Sequence, residues 1–281
     1  MDWFLIEDPA APAARNMAKD ECLLRAAARW NRPVLRLYQW DRPTLSLGRN
    51  QRAAGAIDAE ACRRESVPLV RRMTGGWAVL HGDDLTYSVA APLPHPRFGT
   101  TILSTYQAIA EVFVDLFSGL GFAPRLHRAS ARERAGLASP ICFVTPSACE
   151  LMIEGRKLIG SAQRRAPEAF LQHGSLPLRD RGRLLASLFS GANERRVASA
   201  MTDLESIGVW ARCTPEEFRG RLIASFERVM EARFREAPWS GEDQALTDAL
   251  ETNYPALDPA SLGYSGAPPR AASGRAEQEG T

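Results

Sequence analysis

The chain of 281 residues contains very little lysine. Its 35 basic residues include lysine only at Lys19 and Lys157, and the other 33 are arginine. One interpretation is a genome-wide coding preference for arginine, which would leave the two lysines without special meaning. The other is that position 157 requires a compact, titratable cation, because a planar guanidinium does not replace an ammonium at every site.

Patterns that define several common classes of protein are also absent. The sequence has no Walker loop, no HExxH motif and no GxSxG elbow. Its five cysteines are scattered and show no CxxC spacing, so neither a disulfide framework nor a metal site is indicated. The net charge is only +2 and no long basic block occurs, which argues against a nucleic-acid partner.

Long hydrophobic runs are missing as well. No stretch of about 18 apolar residues occurs, and the N-terminal sequence MDWFLIEDPA is acidic and lacks the basic start of a leader peptide. We therefore expect a cytoplasmic protein with no membrane contact. A hydrophobic share of 45% is ample for a substantial core. We expect one catalytic domain over residues 1–262 and a disordered tail over 263–281, where large apolar side chains are nearly absent.

The hydrophobic pattern predicts an α+β fold of mixed, mainly antiparallel β-sheets flanked by helices. Strands are predicted at 3–7, 34–40, 44–48, 67–73, 77–81, 85–92, 141–144, 149–154, 156–163 and 169–178. Helices are predicted at 15–30, with Asn16 as a candidate cap, and at 58–65, 102–118, 214–234 and 241–253. Residues 74–76 are predicted to form the turn between the strands at 67–73 and 77–81.

A β-hairpin is predicted over residues 149–163, with Gly155-Arg156 as its turn. This register places Glu154 opposite Lys157 on a polar face, where the simplest interpretation is an exposed lysine that pairs with the glutamate. The same register places Cys149 opposite Ala162 on an apolar face. Because a buried cysteine behaves as a small hydrophobic residue, Cys149 is predicted to be a core thiol.

Cys142 lies in a short apolar run, PICFV, that stops at TPS. It fits either a packed core residue or a nucleophile presented beside a loop. An ordinary thiol with a pKa near 8.5 is only about 3% thiolate at pH 7. A positive charge about 4 Å away is worth up to about 4 kcal/mol, and lowering a pKa by two units needs about 2.7 kcal/mol. A single lysine, Lys157, would therefore suffice to activate Cys142 if the chain brings them together.

A second cluster lies in the stretch RRMTGGWAVLHGDDLTYS, residues 71–88. An arginine pair, a glycine pair and His81 in this arrangement suggest a pocket for a carbonyl, a phosphate or an acyl chain. The glycine pair is equally typical of a tight turn, since glycine adopts backbone conformations with positive φ. His173, in the stretch LQHGS, is either a further pocket residue or a histidine that is hydrogen-bonded at the end of a strand.

Three blocks in order, RRMTGGWAVLHGDDLTYS, EGRKLIGSAQRR and FLQHGSLPL, resemble the signature blocks of the biotin/lipoate protein ligase superfamily, on its lipoate side. The stretches NMAKDECLL and TLSLGRNQ also fit this family. The resemblance covers about residues 15–235 and implies the superfamily's catalytic fold. In its octanoyltransferase branch, a nucleophilic cysteine precedes the pattern PS.YEL…GRKI.GSAQ, and CFVTPSACELMIEGRKLIGSAQ has Cys142 at that position.

The resemblance implies roles for particular residues. Cys142 and Lys157 would be catalytic, with the lysine lowering the pKa of the cysteine and orienting the acyl carbonyl. No metal and no cofactor are implied. Trp77 departs from the family, which usually has glycine or arginine there, and its indole would shorten or reshape the acyl pocket. The residues expected to bind substrate are Arg72, Gly75, Gly76, Trp77, His81, Gly160, Ser161, Ala162 and His173.

The implied activity is octanoyl transfer in protein lipoylation. Octanoyl-acyl carrier protein would donate the acyl group through an enzyme thioester to a lysine of the glycine-cleavage H protein or of an E2 lipoyl domain. The enzyme is expected to be a monomer, and basic pairs such as Arg164-Arg165 would attract these acidic partners. The alternatives are an ATP-dependent lipoate-protein ligase, an amidotransferase between lipoyl-bearing proteins, and a non-catalytic acyl- or cofactor-binding protein.

Overall fold

The computed structural model of the chain describes residues 1–53, 55–128, 140–142 and 148–259. The predicted tail over 263–281 and residues 143–144 of the predicted strand at 141–144 lie outside these residues. No helix within the described ranges is both long enough and apolar enough to cross a membrane.

Strands and helices alternate along the described chain. The strands are β1 (Asp2–Ala11), β2 (Val34–Trp40), β3 (Thr44–Leu47), β4 (Leu69–Arg71), β5 (Val79–His81), β6 (Asp84–Pro92), β7 (Arg125–Arg128), β8 (Ala148–Ile153), β9 (Arg156–Lys157), β10 (Gly160–Arg165), β11 (Ala169–Pro177) and β12 (Arg233–Glu236). The helices are α1 (Ala13–Trp30), α2 (Ala59–Arg64), α3 (Ile102–Gly119), α4 (Gly182–Ser187), α5 (Glu194–Ala200), α6 (Pro215–Met230) and α7 (Gly241–Glu251), with a 3-10 turn at Val209–Ala211.

The largest sheet has six strands in the order β10-β11-β6-β2-β1-β12. Neighbours from β10 to β2 are antiparallel, whereas β1 is parallel to both β2 and β12. Helices α3 and α6 pack on one face, in a hydrophobic cluster that includes Trp3, Tyr87 and Phe113. Helix α1 packs on the other face, because alternate strand residues such as Val34 and Ala90 point there. The predicted α+β fold with mixed, mainly antiparallel sheets is confirmed.

The predicted turn at residues 74–76 does not close a hairpin. Strand β3 lies between β4 and β5, parallel to the first and antiparallel to the second, so the chain crosses the end of β3 instead. The crossing is tight: the Arg49 N–H donates to the Thr74 carbonyl at 2.8 Å. A Cβ atom added to Gly48 would lie 1.9 Å from the Gly76 oxygen. Only glycine at position 48 permits this approach of the two backbones.

The hairpin after Cys149 differs from its predicted register. Glu154 and Gly155 have positive φ values of 52° and 76°, so they form the turn, and Met152 lies opposite Lys157. Positive φ at both central residues is the conformation of a type I′ hairpin turn, in which glycine at the second position carries no steric cost. Lys157 still points to the face that was predicted, but that face is covered by protein and Lys157 is only 3% exposed. The interpretation of an exposed Lys157 paired with Glu154 is therefore wrong.

The predicted strand at 156–163 is divided between two sheets. Strand β9 pairs with β8 in a small sheet with β7, whereas β10 joins the six-stranded sheet through β11. Ala162 therefore lies opposite His173, and the predicted pairing of Cys149 with Ala162 is wrong. The prediction that Cys149 is a buried thiol is confirmed, since it is 7% exposed.

The helix ends show which sequence signals correctly predicted where a helix begins or ends. Thr214 and Glu217 form a capping box at the start of α6, as their spacing predicts. Asn16 is not the cap of α1, because the helix already begins after Pro12 and the Asn16 amide donates to the carbonyls of Ala11 and Gln39 at 3.1 and 3.0 Å. The predicted helix over 214–234 ends at Met230, and β12 follows it because that segment pairs with β1.

Candidate active site

Cys142 is held by backbone hydrogen bonds to the segment that leads into β5. Its N–H donates to the Ala78 carbonyl at 3.0 Å, and the Ala78 N–H donates to the Pro140 carbonyl at 3.1 Å. Ile141 forms an isolated parallel bridge with Ala78. The Cys142 thiol is half-buried, while Cys22, Cys62, Cys149 and Cys213 are buried. Cys142 therefore combines a fixed backbone with an accessible sulfur.

Lys157, at the end of β9, reaches this cysteine. Its Nζ donates to the Cys142 carbonyl oxygen at 2.8 Å and lies 3.8 Å from the Cys142 Sγ. It also forms an ion pair with Glu150 of β8, which is only 6% exposed. Burial alone lowers the pKa of Lys157, but the negative charges of Cys142 and Glu150 outweigh burial and raise that pKa above its usual value. Lys157 is therefore a stable ammonium next to the thiol.

Glu150 is a residue of this site that the sequence reasoning missed. It shares the ammonium of Lys157 with Cys142, so the charge of the lysine is not available to the thiolate alone. The estimate that Lys157 alone activates Cys142 therefore leaves out Glu150, the carboxylate that shares the ammonium. The available signal was the alternation along β8, which places Glu150 and Met152 on the face that carries Lys157.

A pocket of about 340 Å³ of empty space opens beside Cys142. It lies between the six-stranded sheet, the β3-β5 sheet and the N-terminal part of α1. Its lining residues are Met17, Tyr38, Trp40, Ser46, Arg72, Val79, His81, Thr86, Cys142, Gly160, Ser161, Ala162, His173, Gly174 and Ser175. Six of the nine predicted substrate-binding residues line this pocket together with the predicted nucleophile.

The glycine pair and Trp77 occupy the crossing segment next to the pocket. Arg72 donates to the carbonyl oxygens of Gly75 and Trp77 at 2.7 and 2.9 Å, which holds this segment in place. Gly76 has a φ of 89°, and a Cβ there would meet the Arg72 guanidinium at 3.0 Å. The side chain of Trp77 is 37% exposed and is not among the described residues that line the pocket. The expectation that its indole shortens or reshapes the acyl pocket stays a prediction.

Both pocket histidines are bound to buried carboxylates. His81 Nδ1 lies 2.8 Å from Asp84, and His173 Nδ1 lies 2.9 Å from Asp20. The His81 ring also stacks on Trp40, with ring centroids 4.0 Å apart. Burial lowers the pKa of His173 despite its contact with Asp20, so this imidazole is neutral at pH 7. Neither aspartate was identified from the sequence.

A second cavity lies on the other side of Ser161, between the sheet and α3. It also encloses about 340 Å³ of empty space and is lined by Tyr87, Tyr106, Ala110, Phe113, Cys149, Glu150, Leu151, Ile159, Ser161 and Gln172. The Tyr106 hydroxyl donates to the Ser161 carbonyl at 3.2 Å, and burial raises the pKa of this phenol, which keeps it protonated. Ser161 lines both cavities, and its hydroxyl lies 2.9 Å from that of Tyr87.

Comparison with solved structures defines the class of the fold. The crystal structure of lipoate-protein ligase A bound with ATP aligns with a TM-score of 0.75 and 22% identity, over 90% of this chain and 95% of that one. A bi-partite lipoate protein ligase from Thermoplasma acidophilum, determined with its E2 lipoyl domain, aligns with a TM-score of 0.74 and 19% identity, over 90% and 92% of the two chains. The chain therefore has the catalytic fold of lipoate-protein ligases.

Sequence comparison identifies the family. The family model for the lipoyl protein ligase A/B catalytic domain matches residues 12–227, and the chain belongs to this family. The protein named Octanoyltransferase LipM from Geobacillus kaustophilus is 36% identical over 88% of this chain and 93% of its own. The protein of the same name from Staphylococcus epidermidis is 41% identical over 90% of this chain and 95% of its own. The resemblance inferred from the three sequence blocks is confirmed.

Proposed function

We propose that this protein is an octanoyltransferase that moves an octanoyl group from a carrier thioester, through Cys142, to a lysine of a lipoyl-bearing protein. The observation that carries this proposal is the distance of 3.8 Å between Lys157 Nζ and the Sγ of Cys142, which lines a largely apolar pocket. The names of the curated relatives, at 36% and 41% identity over most of the chain, support the same acyl group.

In the first step, the Cys142 thiolate attacks the carbonyl carbon of the octanoyl thioester. A carbon–sulfur bond to Cys142 forms, the bond to the carrier sulfur breaks, and the carrier leaves as a thiolate that takes a proton from water. Negative charge develops on the carbonyl oxygen during this attack. The buried Lys157 ammonium is a cation positioned near the reacting sulfur, and it stabilises that charge.

In the second step, the neutral amine of the acceptor lysine attacks the Cys142 thioester. An amide bond forms, the amine nitrogen loses one proton to solvent, and Cys142 leaves as a thiolate, which restores the enzyme. No external energy source is needed, because a thioester is more reactive than the amide it becomes. A cysteine that lines the pocket therefore favours acyl transfer through a thioester over ATP-dependent ligation, which proceeds without a cysteine.

The partners belong to the same proposal. An octanoyl-acyl carrier protein would be the donor, and the glycine-cleavage H protein or an E2 lipoyl domain the acceptor. Such carriers are acidic, and the basic pair Arg164-Arg165 lies at the end of β10, the edge strand next to the pocket. Both arginines are half-buried and donate to the carbonyls of Met73 and Thr101, which fixes their positions.

Mass spectrometry tests the covalent route. Octanoyl-acyl carrier protein mixed with the enzyme, without acceptor, should add one octanoyl group to the peptide that contains Cys142. The Cys142→Ala variant should lose both this adduct and transfer to a lipoyl domain. Cys213→Ala, which removes a buried thiol elsewhere, serves as the matched control and should retain both.

Two outcomes would contradict the proposal. Transfer by the wild-type enzyme with no adduct on Cys142 would exclude the thioester route. Acylation of the lipoyl domain from octanoate and Mg-ATP that persists in Cys142→Ala would identify an ATP-dependent ligase instead.

A further inference from the structure

Arg72 uses every donor of its guanidinium inside the protein. Nε donates to the Thr74 hydroxyl at 3.1 Å, and Nη1 donates to the Ser46 carbonyl and hydroxyl at 2.9 and 3.2 Å. Nη2 donates to the carbonyls of Gly75 and Trp77. A guanidinium has five N–H groups, so none remains for a substrate. Arg72 is 3% exposed, and none of these five acceptors is a carboxylate.

One of the two hydroxyls that bind Arg72 leads to a buried carboxylate. The Ser46 hydroxyl lies 2.9 Å from His81 Nε2, and His81 Nδ1 lies 2.8 Å from Asp84. The other donors to Asp84 are the Gly82 N–H and the hydroxyls of Thr86 and Ser175, all of them neutral. Burial opposes ionisation of Asp84, but the charge of His81 and the hydrogen bonds from His81, Ser175 and the Gly82 N–H outweigh burial and hold the pKa of Asp84 below its usual value.

The other hydroxyl leads to a second buried carboxylate in the same way. The Thr74 hydroxyl lies 2.7 Å from His173 Nε2, and His173 Nδ1 lies 2.9 Å from Asp20. This carboxylate also accepts a hydrogen bond from Arg36 at 2.9 Å. Two chains of the type aspartate–histidine–hydroxyl therefore converge on one guanidinium, and in the Asp20 chain the carboxylate also pairs with the Arg36 guanidinium.

The direction of the hydrogen bonds in the Asp20 chain follows from its ends. A carboxylate only accepts, so Nδ1 of the neutral His173 imidazole carries the proton and Nε2 accepts. The Thr74 hydroxyl must then donate to His173, which turns its lone pairs toward Arg72. In the Asp84 chain, the Ser46 hydroxyl accepts from Arg72 Nη1 and lies 2.9 Å from His81 Nε2. Both ring nitrogens of His81 and of His173 already have hydrogen-bond partners within the protein, so these histidines offer only ring carbon atoms to a ligand in the pocket.

The chains leave the charge of Arg72 only partly balanced. Burial lowers the pKa of the guanidinium, and Cys142 is the first of the groups that oppose this shift, followed by Tyr106. A direct carboxylate would neutralise the arginine and weaken its field at the sulfur. Here each carboxylate is separated from the guanidinium by one imidazole and one hydroxyl. At that distance the carboxylates hold the guanidinium in position and stabilise its charge, but leave the charge to act on Cys142.

We propose that Asp84 and Asp20 are positioning residues for the transfer reaction, which act through His81–Ser46 and His173–Thr74 to orient Arg72 so that its charge stabilises the Cys142 thiolate. This proposal rests on the proposed function. Arg72, from the segment after β4, lines the same pocket as Cys142, and their charges interact. Among the described residues, Lys157 with its partner Glu150 lies 3.8 Å from the Cys142 sulfur, and Tyr106 of α3 also interacts electrostatically with Cys142. Lys157 is shared with Glu150, which gives Arg72 a distinct role at the thiolate.

The pH dependence of alkylation tests this proposal. We expect Asp84→Asn to raise the midpoint for iodoacetamide modification of the Cys142 peptide by about one pH unit, which means about tenfold less thiolate below that midpoint. Ser46→Ala interrupts the same chain without touching the carboxylate and should shift the midpoint in the same direction. Thr74→Val, in the chain whose carboxylate is already paired with Arg36, should shift it less. In the transfer assay kcat should fall and recover at higher pH, while KM for the donor is retained.

Matched controls separate this role from a structural one. Asp243→Asn changes a carboxylate of equal burial that caps α7, and Ser225→Ala removes a hydroxyl that accepts from Arg228 at 3.0 Å. Both should leave the alkylation midpoint unchanged.

A wild-type midpoint in folded Asp84→Asn and Ser46→Ala, or activity lost equally at every pH, would overturn the proposal. If Asp84→Asn does not fold, Ser46→Ala decides. Alkylation by iodoacetamide needs no acyl donor, so its result does not depend on whether the enzyme's substrate is an octanoyl thioester.

Discussion

Lys157 contacts Cys142 at two points: its Nζ lies 2.8 Å from the carbonyl oxygen and 3.8 Å from the sulfur of the same residue. The first contact fixes the backbone of the nucleophile, and the second places a cation beside its thiolate. One ammonium thus performs both tasks while it also pairs with Glu150. A side chain that is 3% exposed and holds these contacts has little room for a larger replacement.

The first prediction concerns the size of this cation. Lys157→Arg keeps the charge but spreads it over a planar group that does not fit the three contacts, so we expect octanoyl transfer to fall on the order of 10²-fold while the fold is retained. The transfer rate and the pH midpoint of Cys142 alkylation measure the effect. The matched control is Lys19→Arg, at the only other lysine, which pairs with Asp8 at 2.7 Å. A normal rate and midpoint in Lys157→Arg would show that the lysine has no catalytic role.

The second prediction concerns Glu150. Glu150→Gln removes the carboxylate from a buried ion pair, so Lys157 loses a charged partner and we expect the unfolding free energy to fall by about 3 kcal/mol. Urea denaturation at neutral pH measures this loss. Glu154→Gln, at an exposed glutamate on the same hairpin, is the control and should change stability little. Equal stability of the two variants would mean that the Lys157–Glu150 pair does not contribute to folding.

The third prediction concerns the backbone crossing over Gly48. Gly48→Ala places a Cβ 1.9 Å from the Gly76 oxygen, so residues 74–77 must move and Arg72 loses its acceptors there. We expect activity to fall on the order of 10²-fold, because misplacement by about 1 Å near a reacting group has effects of that size. Gly220→Ala, where an added Cβ meets nothing within 4 Å, should be fully active. Full activity of Gly48→Ala would contradict the tight crossing.

The fourth prediction concerns stability in acid. Burial by itself would raise the pKa values of Asp20 and Asp84. Their hydrogen-bonded and charged partners favour the ionised form more strongly, so the net effect is a pKa below the usual value for both carboxylates. Each carboxylate therefore contributes stability that is fully present above its unfolded pKa near 3.9 and is lost as the pH falls through the lower folded value. Urea midpoints should decline steeply below about pH 4. Asp84→Asn should show a shallower decline, and an identical slope would contradict the lowered pKa.

Several parts of the site followed from local sequence. The resemblance of CFVTPSACELMIEGRKLIGSAQ to the octanoyltransferase pattern implied a cysteine–lysine pair, and Cys142 and Lys157 do meet. The predicted face of Lys157 was also right, since alternation along a strand does not depend on where the turn lies. Its burial was not predicted, because the pattern of β8 and β9 does not tell which neighbours cover a polar face.

The amino-acid sequence by itself determined most of the strands and the long helices, because hydrophobic period, capping and turn chemistry act over a few residues. Tertiary structure alone decided which polar groups meet. Asp20 and His173 are separated by 153 residues along the chain and lie 2.9 Å apart, because β11 and β6 bring His173 under α1. Strand order and register set such contacts, and they depend on how all the apolar faces pack together, which no single segment encodes.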